Sequence, residues 1–242
     1  MTSYERWYSH RVEQEIGVAA WGNFGTPVLI FPTAGGDAQE IERHHLISAC
    51  SGLLDAGRVK IYSCDSVAGA AMLAKRGSPA YQMRLLNAFH DTVVNEIVPA
   101  IYASSGGAPL PIIAAGSSIG AFNAMAMVCR YPQVFRAAVC LSGTYRLQRF
   151  FDGDSYTEDL YFSSPLDFLP GLDGQQLDVL RQRFVLLASG EGAWEDIGES
   201  WAAAEVLGSK GVPNRVDNWG PEYEHEWPTW WQMYPTYLDQ LA

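Results

Sequence analysis

Two adjacent serines lie between two glycines near the middle of the chain, in the segment G-S-S-I-G at residues 116–120. Ser118 occupies the central position of a G-x-S-x-G pattern, whereas Ser117 has the wrong spacing to the glycines. The pattern alone is weak, because Gly and Ser are common residues. The apolar run PIIAA precedes it and predicts a strand, and AFNAMAMVCRYP follows it and predicts a helix. A tight strand-to-helix turn exposes a nucleophilic serine above a sheet edge. The alternative is a strand that simply ends in small residues.

A serine nucleophile needs a base that takes its proton and an acid that orients the base. In enzymes that carry the serine on such a turn, the acid and then the histidine follow it along the chain. Of the five histidines, His225 alone follows Ser118. It lies between the last predicted strand and the last predicted helix, which is where the base is expected. The alternative is a solvated loop residue between Glu224 and Glu226.

The acid is expected in the loop after the predicted strand FVLLASG, where GEGAWEDIGES offers several carboxylates. Glu191 directly follows the strand-ending glycine, which brings it too close to the sheet, and Glu199 falls on the next predicted helix. We choose Glu195 as the triad acid, with Asp196 as the next candidate and Glu191 still open. The alternative role for any of them is to cap the N-terminus of the helix.

An acyl-transfer reaction also needs two backbone N–H groups that stabilise the oxyanion. The first is expected from Ile119, directly after the nucleophile, and the second from the loop after the predicted strand VLIFP. That loop reads T-A-G-G-D, and Gly35 and Gly36 allow a close approach of the backbone to a substrate. The alternative is a plain turn before a helix that Asp37 caps.

Strands and helices that position these residues alternate along the chain. Helical patterns over residues 38–56 and 78–102 and after residue 120 separate short apolar runs that predict strands. This alternation predicts an α/β fold, with a mostly parallel sheet and helices on both faces. The opening segments YERWYSHRVEQE and IGVAAWG predict an antiparallel strand pair at the N-terminal edge, meeting near Gly17. We expect a single domain over residues 1–242 without a separate cap domain.

Residues 144–182 interrupt the alternation, since they contain no predicted strand. A long insertion of this kind is expected to be a lid or a substrate-binding segment, or else a surface excursion packed by its own aromatic rings. Several aromatic side chains of this segment suggest an apolar wall for a pocket: Tyr145, Phe150, Phe151, Tyr161 and Phe162.

Composition narrows the choice of partners. The formal net charge of -11 argues against nucleic acid and anionic membranes. The chain has no apolar run of about 18 residues, and its first residues lack a signal-peptide pattern, so we expect a cytoplasmic protein. Its four cysteines form no C-x-x-C pair and indicate small core residues. Adjacent His44 and His45 point about 100° apart on a helix, and indicate a polar surface rather than a metal site.

Four segments, FPTAGGD, GSSIGA, SGEGAWED and HEWPTW, resemble the small, lidless putative-esterase group of the α/β-hydrolases, which is similar to esterase D and the mycolyltransferases. The resemblance extends over residues 31–230, and Trp227 and Trp230 follow His225 as tryptophans commonly do in that group. It departs at Ala193, where many members carry an Asp.

This resemblance implies Ser118 as nucleophile, His225 as base, the acid in GEGAWED, and no cofactor, and the Cys and His spacing suggests no metal. Together with the residues above, it predicts a serine hydrolase that cleaves a small-molecule ester through an acyl-enzyme intermediate. The alternatives are an acyltransferase with the same triad and a non-catalytic binding protein on the same fold. The sequence leaves a homo-oligomer open.

Overall fold

The computed structural model of the chain describes residues 3–151 and 156–242. Within them, the strands form one eight-stranded sheet in the order β1-β2-β4-β3-β5-β6-β7-β8. Strand β2 is antiparallel to both β1 and β4, whereas β4, β3, β5, β6, β7 and β8 run parallel. The predicted α/β fold with antiparallel strands at its N-terminal edge is confirmed. The strands are β1 (Ser3–Ser9), β2 (Gln14–Trp21), β3 (Thr26–Phe31), β4 (Val59–Cys64), β5 (Ile112–Ser117), β6 (Phe135–Leu141), β7 (Phe184–Ser189) and β8 (Asn214–Asn218).

Strands β1 and β2 meet in a turn at residues 10–13, so the predicted meeting point near Gly17 was wrong. Gly17 lies inside β2, opposite Arg6, and its N–H donates to Asp65 Oδ2 over 2.7 Å. A Cβ atom at this position would lie 2.7 Å from the Tyr4 hydroxyl oxygen. Gly17 therefore lies in close contact with neighbouring side chains inside a strand and not in a turn.

The helices alternate with the strands as predicted, but two predicted helices are irregular. Helix α4 was not predicted, because its small-residue sequence VAGAAML carries little periodicity. The helices are α1 (Glu40–Arg43), α2 (Leu46–Ala49), α3 (Ser51–Asp55), α4 (Val67–Leu73), α5 (Pro79–Thr92), α6 (Val98–Ser104), α7 (Ile119–Arg130), α8 (Glu158–Ser163), α9 (Pro165–Phe168), α10 (Gly174–Leu180), α11 (Ile197–Ser209) and α12 (Trp227–Leu241).

Both irregularities have local causes. The helix predicted over residues 38–56 is divided into α1, α2 and α3, and His45 between the first two adopts a left-handed backbone with φ of 61°. The helix predicted over residues 78–102 contains a π-helical turn, Val93–Ile97, between α5 and α6. Pro99 follows this turn, lacks an N–H and crowds the carbonyl four residues earlier. A wider π turn relieves that clash.

The two faces of the sheet pack against different helices. Ile112 and Ala114 of β5 join the core beneath α5, α6 and α7, whereas Ile113 and Ala115 join the core beneath α1, α2 and α12. This alternation follows from the period of two in a strand, and it explains why the strands are apolar on both sides. The four cysteines are buried free thiols in these cores. None of the helices in the described part of the chain is both long and apolar enough to cross a bilayer.

The predicted insertion, residues 144–182, is helical where it is described and has no strand there, while residues 152–155 lie outside the described residues. It contains α8, α9 and α10 and the short 3₁₀ turns Leu147–Phe150 and Leu169–Gly171. Its first residues are held by the buried Glu199 carboxylate of α11, which accepts the N–H groups of Tyr145 and Arg146 at 2.6 and 3.0 Å.

Candidate active site

Ser118 lies on a sharp turn between the end of β5 and the start of α7. Its backbone has φ of 58° and ψ of -123°, a region that L-residues rarely adopt. The turn is held on both sides, because the Ser118 N–H donates to Leu141 O over 3.0 Å and its carbonyl accepts the Ala121 N–H over 3.1 Å. Strain that the surrounding structure maintains in this way is characteristic of functional sites. The hydroxyl-bearing residue remains partly exposed.

Both glycines of the motif are required by sterics. A Cβ atom at Gly116 would overlap the carbonyl group of Gly120, and a Cβ atom at Gly120 would overlap the carbonyl oxygen of Phe31. The helix α7 therefore approaches β3 and β5 at backbone contact distance. Only glycine permits this approach, which explains the G-x-S-x-G spacing physically.

Ser117 has a structural role. Its side chain is buried and its hydroxyl donates to the Tyr234 hydroxyl of α12 over 3.1 Å. The interpretation that Ser118 and not Ser117 is placed for chemistry agrees with this geometry.

Glu195 and His225 lie next to each other, in the loops that follow β7 and β8. The distance between Glu195 Oε1 and His225 Nδ1 is 3.6 Å. Because parallel strands carry their following loops to the same edge of the sheet, this pair lies at the edge where Ser118 follows β5. The structure thus brings the selected acid and the histidine together, at the same edge of the sheet as the serine.

The two loops are joined by backbone hydrogen bonds. The His225 N–H donates to Ala193 O, and the Gly192 N–H donates to Tyr223 O, both over 3.0 Å. A Cβ atom at Gly190 would overlap the Tyr223 carbonyl oxygen, so the loops touch at the start of the acid loop. The residue before Glu195, Trp194, has a left-handed backbone with φ of 66°. Because the loop folds back in this way, Glu195 lies beside the histidine although it is two residues beyond Ala193.

The Glu195 carboxylate oxygen that does not face the histidine is held by a hydrogen bond. This oxygen, Oε2, accepts the Ser189 hydroxyl over 2.6 Å. Burial raises the pKa of the Glu195 carboxyl, but the polar side chains of His225, Ser142 and Ser189 outweigh this effect, so that the pKa lies below its ordinary value. The group is therefore ionised at neutral pH and carries the negative charge that an acid of a triad needs.

Trp230 connects the histidine to the strand next to β5. Its indole ring packs edge-on against the His225 ring, with centroids 5.2 Å apart, and its Nε1–H donates to Ser142 Oγ over 2.9 Å. Ser142 directly follows β6 and has a left-handed backbone with φ of 48°. Because Leu141 beside it accepts the Ser118 N–H, the residue pair 141–142 contacts both sides of the site. The sequence signalled Trp230, but nothing in it signalled Ser142 or Ser189.

The other acid candidates have different surroundings. Glu191 is exposed, and Asp196 caps α11 by accepting the Gly198 N–H over 3.0 Å. Glu199 is buried, but it faces Arg146, whose guanidinium lies 2.9 Å away, and not the histidine. Burial raises the pKa of Glu199, but the N–H groups of Tyr145 and Arg146 and the neighbouring guanidinium groups lower it by more. The pKa of Glu199 therefore lies below its ordinary value.

An apolar cavity of about 320 Å³ opens next to Ser118. Ile119 and Ala34 lie in its wall, and so does Phe150 of the insertion. Ile119 begins α7, so its N–H has no partner within the helix. The N–H of Ala34 has no hydrogen-bond partner among the residues that the structure describes.

The two glycines chosen as oxyanion donors lie on the far side of this loop. Gly35 and Gly36 line a neighbouring polar cavity of about 300 Å³ instead of the cavity that holds Ser118. The Gly36 N–H donates to Thr33 O over 3.1 Å, and a Cβ atom there would overlap the Glu40 carboxylate. Ala34, and not Gly35 or Gly36, is the residue of this loop that lines the serine cavity, because a turn at residues 33–36 directs the glycines away.

The five aromatic side chains of the insertion lie in three different environments. Phe150 lines the serine cavity as suggested. Tyr145 and Phe151 are buried in the core, and Tyr161 and Phe162 line a separate cavity beside Arg130. Only one of the five therefore contributes to the apolar wall, because the insertion folds into short helices that bury the remainder elsewhere.

The paired histidines near residue 44 pack on tryptophans of α12. The His44 ring stacks on Trp227 with centroids 4.6 Å apart, and Trp231 Nε1 donates to His44 O over 2.7 Å. The described residues contain no group of three or more His, Cys, Asp or Glu side chains that could hold a metal ion.

Comparisons with known proteins identify the family and the fold. The model of the Esterase family, described as "Putative esterase", matches residues 39–235. No curated protein matches the chain. A solved ferulic acid esterase is 14% identical, with a TM-score of 0.74 over 99% of this chain and 98% of that chain.

Two further solved structures share the fold at similar identity. An S-formylglutathione hydrolase from Agrobacterium tumefaciens is 13% identical over 98% of this chain and 91% of that chain, with a TM-score of 0.67. Mycobacterium tuberculosis MPT51 is 15% identical over 100% of this chain and 98% of that chain, with a TM-score of 0.68. The family model covers most of the chain. The chain therefore belongs to the family of putative esterases, and it is an esterase with the α/β-hydrolase fold.

Proposed function

We propose that the protein hydrolyses a carboxylic ester through an acyl-enzyme intermediate, with Ser118 as nucleophile, His225 as base and Glu195 as the acid that orients the base. One observation carries this proposal: the buried Glu195 carboxylate stands 3.6 Å from His225 Nδ1, at the sheet edge where the strained Ser118 turn lies. Each group alone has an ordinary structural explanation. Their location at one sheet edge is what a triad that activates a serine requires, and it supports the proposal.

The first half of the reaction transfers the acyl group to the enzyme. Since His225 Nδ1 faces Glu195, the other ring nitrogen, Nε2, is the atom that takes the Ser118 hydroxyl proton. The serine oxygen then bonds to the ester carbonyl carbon, whose oxygen becomes an oxyanion. Collapse of this intermediate breaks the bond to the alcohol oxygen, which leaves with the proton from His225.

The second half repeats these steps with water. A water molecule gives its proton to His225 and bonds to the acyl carbon of the acyl-enzyme. The bond to the Ser118 oxygen then breaks, and the proton returns from His225 to the serine. The products are a carboxylic acid and the free enzyme.

The oxyanion is assigned to the backbone N–H groups of Ile119 and Ala34. Both residues border the cavity that contains Ser118, and the Ile119 group lies at the positive end of the α7 dipole. Two such donors are the usual requirement for acyl transfer.

Glu195 acts on the charged form of the base. Its Oε1 has no hydrogen-bond partner among the described residues, whereas Oε2 is held by Ser189. An unpartnered carboxylate oxygen in a buried position is costly. Protonation of Nε2 gives the ring a positive charge beside this oxygen, so the pair is most stable when the serine has lost its proton.

The test is labelling with a fluorophosphonate probe followed by peptide mapping, together with turnover of p-nitrophenyl butyrate. We expect the probe on Ser118, and we expect Ser118→Ala to lower turnover by a factor on the order of 10³ or more. Ser117→Ala is the matched control, since it removes the adjacent hydroxyl and should keep activity. Labelling of another residue, or full activity in Ser118→Ala, would refute the proposal.

A further inference from the structure

The cavity beside Ser118 combines apolar walls with a single charge. Its apolar lining residues include Met72 and Leu73 of α4 and Phe150 of the insertion. Among the residues that the structure describes, Lys75 is the only charged one in the wall. A cavity of about 320 Å³ with few polar groups has the size and character of a small-molecule site.

The Lys75 ammonium has no partner in the described part of the chain, in contrast to the other two lysines. Lys60 Nζ donates to Ser104 O over 2.6 Å, and Lys210 Nζ donates to Pro170 O over 3.1 Å. The backbone of Lys75 is nevertheless fixed, with a left-handed φ of 48° and a hydrogen bond from its N–H to Met72 O over 3.1 Å. Its side chain therefore starts from a fixed point in the cavity wall, and its charge is not neutralised by any described group.

Guanidinium groups also lie near the opposite wall. Arg149 donates to Thr144 Oγ1, which lines the cavity, over 3.4 Å, and its guanidinium lies 5.2 Å from the Phe150 ring centroid. Arg149 and Arg146 both lie near the Glu199 carboxylate, at 3.6 and 2.9 Å. Among the described residues, two guanidinium groups thus face one carboxylate here.

This local charge is opposite to the charge of the whole chain, which is -11. An acidic protein repels anions in general, so the Lys75 ammonium in the cavity wall affects which substrates enter there. A neutral ester would gain nothing from that charge. An anionic group would gain a partner for Lys75 while its stem is removed from water by the apolar walls.

We propose that the half of the substrate that occupies this cavity is an apolar chain ending in a carboxylate, and that Lys75 determines this specificity. The inference rests on Ser118 being the nucleophile, because the cavity is defined by its access to that residue. The charge can belong to the acyl chain or to the alcohol, since either half of an ester can lie beside the nucleophile.

Matched ester pairs test the proposal. Mono-p-nitrophenyl adipate carries a free carboxylate on its acyl chain, and its methyl ester is the neutral counterpart of the same length. For the alcohol half, the pair is p-nitrophenyl butyrate and its analogue with a carboxylate on the phenyl ring. We expect kcat/KM to favour the anionic member of one pair by about two- to fivefold, the scale of a partly exposed ion pair.

Lys75→Met should reduce that preference to about one, whereas Lys210→Met, which changes the net charge equally, should leave it intact. Lys75→Glu should reverse the preference. The preference should also shrink as ionic strength rises, because the pair is near solvent. The pair in which the preference occurs shows which half of the ester enters the cavity.

Equal kcat/KM within both pairs, or an identical loss in Lys75→Met and Lys210→Met, would overturn the role of Lys75 and leave the serine mechanism intact. Failure of the proposed function has a different signature: no ester of either pair is hydrolysed above the uncatalysed rate, and the fluorophosphonate probe does not label Ser118.

Discussion

Glu195 Oε1 lies 3.6 Å from His225 Nδ1 and has no hydrogen-bond partner in the described chain, although the Glu195 side chain is only 1% exposed. The second oxygen is occupied by the Ser189 hydroxyl at 2.6 Å. The carboxylate is thus fixed from behind and presents one free oxygen to the imidazole. A buried charge in this state is expected to attract the protonated ring, so the pair should shorten when His225 becomes charged.

Replacing Glu195 by Gln should remove the charge that stabilises the imidazolium. We expect kcat/KM for p-nitrophenyl butyrate to fall by about 10²- to 10⁴-fold, the range seen when a triad acid is neutralised. Steady-state kinetics and the rate of fluorophosphonate labelling of Ser118 measure this change. Asp196→Asn is the control: it alters the neighbouring carboxylate, which caps α11, and should leave turnover within about twofold. A larger loss in Asp196→Asn than in Glu195→Gln would transfer the acid role to Asp196.

Replacing Trp230 by Phe should hold His225 less firmly in place while keeping an aromatic ring against it. The indole N–H that donates to Ser142 Oγ over 2.9 Å is lost. We expect kcat to fall by roughly tenfold with little change in KM, and the free energy of unfolding to fall by about 1–3 kcal/mol because a buried hydroxyl loses a partner. Ser142→Ala removes the same bond from the other side. The double variant should therefore be less impaired than the two single effects added together, and strict additivity would contradict the coupling.

Replacing Gly120 by Ala should destabilise the fold. The added methyl group would overlap the Phe31 carbonyl oxygen, which belongs to β3 and cannot move aside as a side chain would. We expect a loss of about 3 kcal/mol or more in the free energy of unfolding, measured by urea denaturation. Gly52→Ala in α3 is the control, since no atom lies within 4 Å of its Cβ position. This variant should gain about 0.5–1 kcal/mol from helix propensity, and equal destabilisation by both would argue against the steric account.

Replacing His90 by Gln should reduce the loss of stability in mild acid. Burial, and then the nearby Arg130 charge, lower the pKa of His90 to about 3. The unfolded chain binds this proton near pH 6.5, so the stability contributed by the neutral ring is present above that pH and is lost as the pH falls below it. Between pH 7 and pH 5 the free energy of unfolding should drop by about 2 kcal/mol from this group.

Urea denaturation of both proteins at pH 7 and pH 5 measures this contribution. Gln at position 90 can still donate to Asn123 and accept from Arg130, the two partners of the histidine at 3.0 Å. The carboxyl groups with lowered pKa, such as Glu199, lose their stabilising contribution only below their ordinary value of 4.5, so they contribute little in this interval. An equal drop for wild type and His90→Gln would show that His90 is not the titrating group.

Much of the fold could be predicted because its signals are local. Short apolar runs such as PIIAA become strands buried on both faces, and G-S-S-I-G requires two glycines where α7 crosses β3 and β5. The strand pair at the N-terminal edge was also predicted, but its turn was not. Gly17 looked like a turn residue, but it lies inside β2 opposite Arg6, and the chain turns at residues 10–13.

The site residues also fall into two groups, those with a local signal in the sequence and those without one. By itself, the sequence determined that Ser118 and His225 were the candidates, because the motif and the chain order each left one choice. Only the tertiary structure distinguished the carboxylates of the acid loop, assigned Ala34 instead of Gly35 and Gly36 to the serine cavity, and brought Lys75 to its wall. These outcomes depend on distances between residues that are far apart in the chain. Such distances follow from how the loops at one sheet edge pack together, and no local pattern encodes them.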